Sequence, residues 1–392
     1  MNYPSAPNAQ NVAYSLAGGE QYPSPVPAPL NALPYAERPA SISDDQLATL
    51  TKQGFTKGLA KALDANCDRF PARFWIIDNS GSMNKADGHR IIETRAKDDV
   101  KIVDCTRWEE IKECVNYHAS LAALLLSPTV FKFLNNPGAR AGGQQFSIAE
   151  YSLDNIQDEQ YTARSIMNKT SPEGFTPLRD RITELHDAIL PMANVLKNTG
   201  QKAVIVIATD GKPTDESGFS TDFVTDMFVQ ALRQLLELPV WVVIRLCTDE
   251  EDVVSFYNTL DDDLELSIEV LDDFVGEAME VYETNPWLNY GLPLHRMRES
   301  GFNERAFDFI DQRPLTKTEL RQFCVSLFGQ ENFDGVPDPS VDWKGFASEI
   351  QRFNSKESNT YNPIKKKVLP WVDTHALENI YGDGTGCACA MM

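Results

Sequence analysis

Residues 203–246, AVIVIATDGKPTDESGFSTDFVTDMFVQALRQLLELPVWVVIRL, decide the fold of this 392-residue chain. The continuous apolar run at 203–208 predicts a strand that is buried on both faces. Residues 222–236 carry apolar side chains at helical spacing, and 240–246 is a second continuous apolar run. A strand, a helix and a second strand in this order are typical of a parallel βαβ unit.

The same alternation of strands and helices continues on both sides of this unit. Buried parallel strands separated by amphipathic helices require a sheet that is covered on both faces. We therefore predict an α/β fold over residues 68–283, with a doubly wound, mainly parallel sheet and helices on both faces. The further predicted elements are strands at 73–77, 145–149 and 264–270 and helices at 108–126, 177–196, 250–260 and 273–283.

The segments on either side of this domain differ from it in composition. Residues 1–40 are rich in Pro, Ala, Asn and Ser without any period, which predicts a disordered tail. Residues 41–67 favour two short helices. Residues 284–355 predict a small helical extension, in which a Thr and a Glu three residues apart form a capping box at 316–319. Residues 356–392 are polar and contain Pro, as expected of a flexible tail.

Charge and cysteine content limit the class of protein. The chain holds 36 basic and 57 acidic residues, and the net charge of −21 repels nucleic acid and favours basic partners or metal ions. The N-terminus lacks the apolar core of a signal peptide, and the longest apolar run, near 121–126, is too short to span a bilayer. We therefore expect a cytoplasmic protein. The cysteines lack the paired spacing of a zinc site, and five are expected to be buried thiols: Cys67, Cys105, Cys114, Cys247 and Cys324.

Polar side chains follow two of the predicted strands and precede a predicted helix. Asp78, Ser80 and Ser82 lie in FWIIDNSGSM, Thr176 lies in EGFTPL, and Asp210 ends the strand in VIATDGKPTD. In open α/β sheets, ligands bind in the loops beyond the carboxyl ends of the strands. Hydroxyl and carboxylate oxygens are the ligands that a small, hard cation such as Mg²⁺ prefers.

This pattern, D-x-S-x-S, a later Thr and then T-D-G after an apolar strand, resembles the metal-ion-dependent adhesion site of von Willebrand factor type A domains. The resemblance covers only the middle of the chain. It implies that Ser80, Ser82 and Thr176 supply hydroxyl oxygens to Mg²⁺ or Mn²⁺, and that Asp78 and Asp210 bind the ion directly or through water. It also implies that the ion captures an acidic side chain of a protein partner.

A simpler interpretation exists for each of these residues by itself. Asp, Ser and Thr commonly cap turns and helices, and Thr176 is expected at the N-cap of a helix with Pro177 in its first turn. The three segments together, in this order, favour the metal site. Acidic residues near the motif would concentrate cations there: Asp87, Glu173, Asp215 and Glu216.

An insertion at 84–107 separates the first motif segment from the next predicted helix, and its pattern predicts a β-hairpin. Because it leaves directly from the metal loop, it is either part of the partner-binding surface or a solvated excursion.

The resemblance implies a binding adaptor and not an enzyme. The sequence has no Gly-rich phosphate loop, and its five histidines lie in no recognisable catalytic motif. One alternative is a Mg²⁺-dependent hydrolase or phosphotransferase. Another is a ubiquitin-binding adaptor, because residues 43–66 resemble the first two helices of a ubiquitin-associated domain, although a strand follows where a third helix would be required.

The last four residues, Cys389 to Met392, fit the C-a-a-X prenylation box, in which a terminal Met favours a farnesyl group. Cys387 is a candidate for palmitoylation as the second signal that stable anchoring requires. These residues predict a lipid tether to the cytosolic face of a membrane.

Overall fold

A computed structural model describes residues 33–93, 100–264 and 268–382. The predicted terminus with Cys387 and Cys389, most of the predicted N-terminal tail and the tip of the predicted hairpin lie outside these residues. The strands are β1 (Arg73–Ile77), β2 (Gly88–Glu93), β3 (Val100–Cys105), β4 (Thr129–Phe133), β5 (Gln145–Ile148), β6 (Ala203–Thr209), β7 (Val240–Leu246), β8 (Ile268–Leu271), β9 (Thr360–Asn362) and β10 (Lys367–Leu369). The helices are α1 (Asp44–Lys52), α2 (Lys57–Arg69), α3 (Arg107–Leu125), α4 (Ile156–Lys169), α5 (Leu178–Ile189), α6 (Ala193–Thr199), α7 (Asp222–Leu236), α8 (Glu251–Leu264), α9 (Phe274–Thr284), α10 (Leu292–Glu299), α11 (Arg305–Asp308), α12 (Lys317–Phe328), α13 (Trp343–Asn354) and α14 (Thr374–Tyr381).

Within the described residues, six strands form one sheet in the order β5-β4-β1-β6-β7-β8. Every neighbouring pair is parallel except β4 with β5, which is antiparallel at the edge. All seven residues of β6 are buried, so its alternating side chains meet packed helices on both faces of the sheet. The predicted α/β, doubly wound fold is confirmed.

The strand order positions the candidate site. The chain proceeds from β1 outward to β4 and β5, then returns to the other side of β1 and proceeds through β6, β7 and β8. The carboxyl ends of β1 and β6 therefore flank the point at which the winding direction reverses. In doubly wound sheets, this point opens a crevice in which ligands bind.

A second apolar core joins the N-terminal helices to the C-terminal part of the chain. The two cores meet through α3, since Leu121 and Leu125 belong to the second core and earlier residues of the helix belong to the first. At Gly58 in α2, a β-carbon would lie 2.3 Å from the backbone nitrogen of Gly329, so only glycine permits this approach to the end of α12. The predicted helices of 41–67 thus pack as part of the fold.

The prediction of a flexible tail from residue 356 onward is wrong for residues 356–382. Residues 360–369 contain the antiparallel hairpin of β9 and β10, and α14 follows. Trp371, Val372 and Leu377 are buried in the second core. A few large apolar side chains in a polar segment are sufficient to anchor it, and the composition of the segment conceals them.

Several sequence-based boundaries also differ. The helix expected at 177–196 ends at Ile189, a 3₁₀ turn at Leu190–Met192 contains Pro191, and α6 begins after it. Proline lacks the amide hydrogen that a continuous helix needs. Strand β4 and helix α4 were not predicted, whereas the hairpin in the 84–107 insertion is confirmed as the antiparallel pair β2 and β3. In the part of the chain that is described, no helix is both long and apolar enough to cross a membrane.

Candidate metal centre

The two acidic residues of the motif lie side by side at the crevice. Asp78 directly follows β1, Asp210 directly follows β6, and both are buried. The Asp78 backbone N–H donates to the carbonyl of Ala208 at 2.9 Å, which extends the pairing of the two strands into the first motif loop. The parallel sheet thus brings together carboxylates that are 132 positions apart in the sequence.

A chain of close oxygen atoms connects the first motif loop to Asp210. Ser80 Oγ lies 2.9 Å from Ser82 Oγ, and Ser82 Oγ donates to Asp210 Oδ1 at 2.8 Å. Neighbouring ligands of an octahedral Mg²⁺, with bonds of about 2.0–2.1 Å, lie roughly 2.9 Å apart. The two contacts are hydrogen bonds whose lengths also match the spacing of neighbouring Mg²⁺ ligands, so the residues are compatible with one small cation.

The loop that carries Thr176 is tied to both other loops. Gly81 donates its N–H to the carbonyl of Gly174 at 3.0 Å. The Thr176 N–H donates to Thr214 Oγ1 at 2.9 Å, and the Thr176 carbonyl accepts from the Thr214 N–H at 3.0 Å. A β-carbon placed on Gly211 would lie 3.7 Å from Thr176 Oγ1, so this hydroxyl lies against the residue that follows Asp210.

The expectation that Thr176 caps a helix is wrong. Helix α5 begins at Leu178 with Pro177 at the cap position, and within the described residues no side chain makes a capping hydrogen bond there. The Thr176 carbonyl accepts the N–H of Leu178 at 2.8 Å, but its hydroxyl takes no part in the cap. The simpler interpretation of this threonine therefore loses its support.

The Asp78 carboxylate is held by donors on both of its oxygens. The Ser80 N–H donates to Oδ1 at 2.8 Å, and Thr209 Oγ1 donates to Oδ2 at 2.6 Å. Burial, and then the nearby charge of Asp210, raise the pKa of the Asp78 carboxyl to about 6, against the opposing effect of these hydrogen bonds. Two buried carboxylates in one crevice favour a positive ion beside them.

Arg107 is the residue at this site that the sequence motif does not include. In its buried guanidinium, Nη1 donates to Asp210 Oδ2 at 2.9 Å, while Nε and Nη2 donate to Asp87 Oδ1 and Oδ2 at 2.7 and 2.6 Å. A further bond of 2.6 Å runs from Nη2 to Glu250. The only sequence signal is a basic residue in the first turn of a helix, where acidic residues are preferred.

The sequence predicts that Asp87 adds free negative charge near the motif, but in the structure this carboxylate is paired. It forms a two-bond pair with Arg107, and this pair lowers the pKa of the Asp87 carboxyl. Its charge is thus partly offset by Arg107, which also contacts Asp210 and Glu250.

Exposed aromatic side chains lie in the loops that adjoin the motif and in the first turn of α7. Phe175 directly precedes Thr176 and is 48 % exposed, while Phe219 and Phe223 are 67 % and 72 % exposed. The Phe175 ring lies against Gly218, where a β-carbon would be 2.4 Å from it, so the second and third loops touch. Large apolar side chains exposed together are a feature of binding surfaces.

The structure links Asp78, Ser80, Ser82 and Asp210 through direct hydrogen bonds or through Thr209, and Thr176 lies at the edge of this group. No family model matches the chain, and no curated protein is significantly similar to it. The function must therefore be inferred from this oxygen cluster and its surroundings.

Proposed function

We propose that the chain carries a von Willebrand factor type A domain that holds one divalent cation, Mg²⁺ or Mn²⁺, and binds a carboxylate of a protein partner. The observation that carries the proposal is the row of oxygens from Ser80 through Ser82 to Asp210, with spacings of 2.9 and 2.8 Å at the crevice of the sheet. Asp78 and Thr176 complete the donor set.

The charge of the donor set favours the capture of an anion. Three of the five donors are neutral hydroxyls, and Asp210 already shares its charge with Arg107 at 2.9 Å. A divalent ion held by such ligands keeps positive charge and attracts a further carboxylate, which Mg²⁺ coordinates readily. The chain's own residues bind and orient the ion, and the ion supplies the attraction.

The surroundings favour a protein as the partner. Phe175 and Phe219, in loops next to the site, and Phe223, in the first turn of α7, offer exposed aromatic surface. Aromatic residues are enriched in protein interfaces, where they contribute much of the binding energy. A partner with an acidic residue next to apolar ones matches this combination.

The ubiquitin-binding alternative receives less support. Leu50, Leu59 and Leu63, on the two helices of the 43–66 segment, are buried in the second core. A ubiquitin-binding surface made of these side chains would require the helices to leave that core.

Partner capture with and without metal tests the proposal. The immobilised chain, in Mg²⁺, should retain a partner that it releases in chelator, and Asp210→Ala should retain none. Asp226→Ala is the matched control, because Asp226 is an exposed carboxylate on α7. Retention that is equal in Mg²⁺ and in chelator would contradict the proposal.

The hydrolase or phosphotransferase alternative predicts a different result. A screen of phosphate and ester substrates would then find Mg²⁺-dependent turnover that Asp78→Ala abolishes. That outcome would move the protein to another functional class.

A further inference from the structure

Four residues with metal-binding side chains meet between α3 and α10, apart from the crevice. Cys114 and His118 are four positions apart on α3, and His295 and Glu299 are four positions apart on α10. Residues at this spacing lie on the same face of a helix. The two pairs face each other and all four side chains are buried.

Glu299 lies at the centre of this group. Its Oε2 is 3.0 Å from His118 Nε2, and its Oε1 is 3.3 Å from both Cys114 Sγ and His295 Nε2. Tetrahedral Zn²⁺, with bonds of about 2.0–2.3 Å, places its ligand atoms roughly 3.3–3.6 Å apart. The ligand atoms of Cys114, His118 and Glu299 all lie within 4.8 Å of one another, so these three need only modest shifts to reach this spacing, whereas His295 does not belong to the group.

His295 borders this group. It is 1 % exposed, and its Nε2 lies 3.3 Å from Glu299 Oε1, although the geometry of this contact is not that of a hydrogen bond. Its Nδ1 lies 3.4 Å from the hydroxyl of Tyr290, which orients the ring as outer partners orient metal-binding histidines. A cavity of about 30 Å³ is lined by Cys114, His295 and Glu299, and one small ion or water needs less.

The protonation states suit a metal that binds thiolate and imidazole. Burial is the largest effect on the pKa of His118 and of His295 and lowers both, which favours the neutral rings that a metal requires. Burial raises the pKa of the Cys114 thiol, which a bound Zn²⁺ reverses by displacing the thiol proton.

The competing interpretation is a purely ionic cluster. Arg296 Nη1 donates to Glu299 Oε2 at 2.8 Å, and Arg245, which also pairs with Glu110, lies 3.5 Å from Glu299 Oε1. These two cations already balance the two carboxylates. Exchange of one thiol proton for Zn²⁺ would raise the charge of the cluster by one. The charge balance thus favours the ionic cluster, and the experiment below distinguishes it from a metal site.

We infer that Cys114, His118 and Glu299, bordered by His295, form a second metal site, suited to Zn²⁺, that joins α3 of the sheet domain to α10 of the helical part. The mixed sulfur, nitrogen and carboxylate donors favour a softer ion than the oxygen cluster of the crevice does. Three protein ligands from two helices would tie α3 to α10 and leave the fourth position to water or to His295.

The zinc content and the Co²⁺ spectrum of the full-length chain test this inference. The wild-type chain, purified without chelator, should contain one Zn²⁺, and replacement by Co²⁺ should give a thiolate-to-cobalt charge-transfer band. Asp210→Ala should keep this band, which separates the site from the crevice. Cys114→Ser should lose it, and Cys324→Ser, which alters a second buried thiol, should keep it.

His118→Gln provides a variant that leaves the thiol in place. Loss of an outer-shell partner lowers metal affinity roughly 10–100-fold. Because this variant loses a ligand itself, its Zn²⁺ affinity should fall by at least that much. A folded wild-type chain with neither zinc nor the band would overturn the inference. Retention of both by Cys114→Ser would overturn it as well.

Discussion

Arg107 donates from Nη1 to Oδ2 of Asp210 at 2.9 Å, while Oδ1 of the same carboxylate accepts from Ser82 Oγ at 2.8 Å. One oxygen of Asp210 is thus fixed by a permanent cation of the protein. The other faces the hydroxyls of the first motif loop. Arg107 is a positioning residue, since it touches a donor and not the proposed ion.

Arg107→Met should destabilise the metal-free chain, because removal of one partner from a buried ion pair costs about 3–5 kcal/mol. Mg²⁺ should raise the melting temperature of this variant more than that of the wild-type chain, since the ion replaces the lost positive charge beside Asp210. Thermal unfolding in Mg²⁺ and in chelator measures both effects. Equal Mg²⁺-induced shifts in the two proteins would argue against an ion at Asp210.

Thr176→Val keeps the shape of the side chain and removes its hydroxyl. We expect Mg²⁺ affinity to fall on the order of 10-fold, equivalent to about 1.4 kcal/mol, because one oxygen donor is lost. Thr176→Ser should bind as the wild-type chain does, since it keeps the hydroxyl. Stability in chelator should change little in either variant, because this hydroxyl caps no helix in the described structure. Calorimetric titration and denaturant unfolding give the two readouts, and unchanged affinity in Thr176→Val would remove Thr176 from the donor set.

Phe223→Ala should weaken partner capture and leave Mg²⁺ binding unchanged, because Phe223 is exposed and supplies no oxygen to the ion. Val341→Ala, at an exposed position of the helical part, is the control and should bind the partner normally. Partner affinity measured at saturating Mg²⁺ separates the two effects. If both variants bind the partner as the wild-type chain does, the aromatic surface has no role in recognition.

The capping box of α12 allows a test of the helical core by pH. Arg313 and then the backbone and hydroxyl of Thr316 lower the pKa of the Glu319 carboxyl to about 2. The folded pKa is below the unfolded value, so this contribution is complete above the unfolded pKa and is lost as pH falls toward about 2. Glu319→Gln keeps a capping acceptor but loses the charged pair with Arg313, so it should lower stability by at most about 1 kcal/mol at pH 7 and by less in acid. Denaturant unfolding of both proteins across this range measures the difference, and a difference independent of pH would contradict it.

Sequence patterns were sufficient for the central strands and insufficient for the elements around them. Strands β6 and β7 are continuous apolar runs, as strands buried on both faces must be. Strand β4 is only five residues long and contains Lys132, so its pattern is ambiguous. Helix α4 buries only Ala163, Ile166 and Met167, and this stripe is too narrow to stand out.

The residues of the candidate site also fall into those that the sequence pattern identified and those that it missed. The motif supplied the five proposed oxygen donors, because they lie in the loops that follow β1 and β6 or precede α5. Arg107 was not found, since its contact with Asp210 spans 103 positions and depends on how α3 packs against the sheet. The Cys114 and His295 pairs were missed for a similar reason. The cysteine spacing alone gives no zinc pattern, and the two helices meet only in the folded chain.

Calorimetric titration of Mg²⁺ into the purified full-length chain tests the metal centre most directly. The wild-type chain should bind one ion, and so should Asp226→Ala, which alters an exposed carboxylate of α7. The double variant Ser80→Ala with Ser82→Ala should show no binding, because two of the three oxygens spaced at 2.9 and 2.8 Å are removed. A folded wild-type chain that binds no Mg²⁺, or a double variant that binds it as tightly as the wild-type chain, would contradict the proposed site.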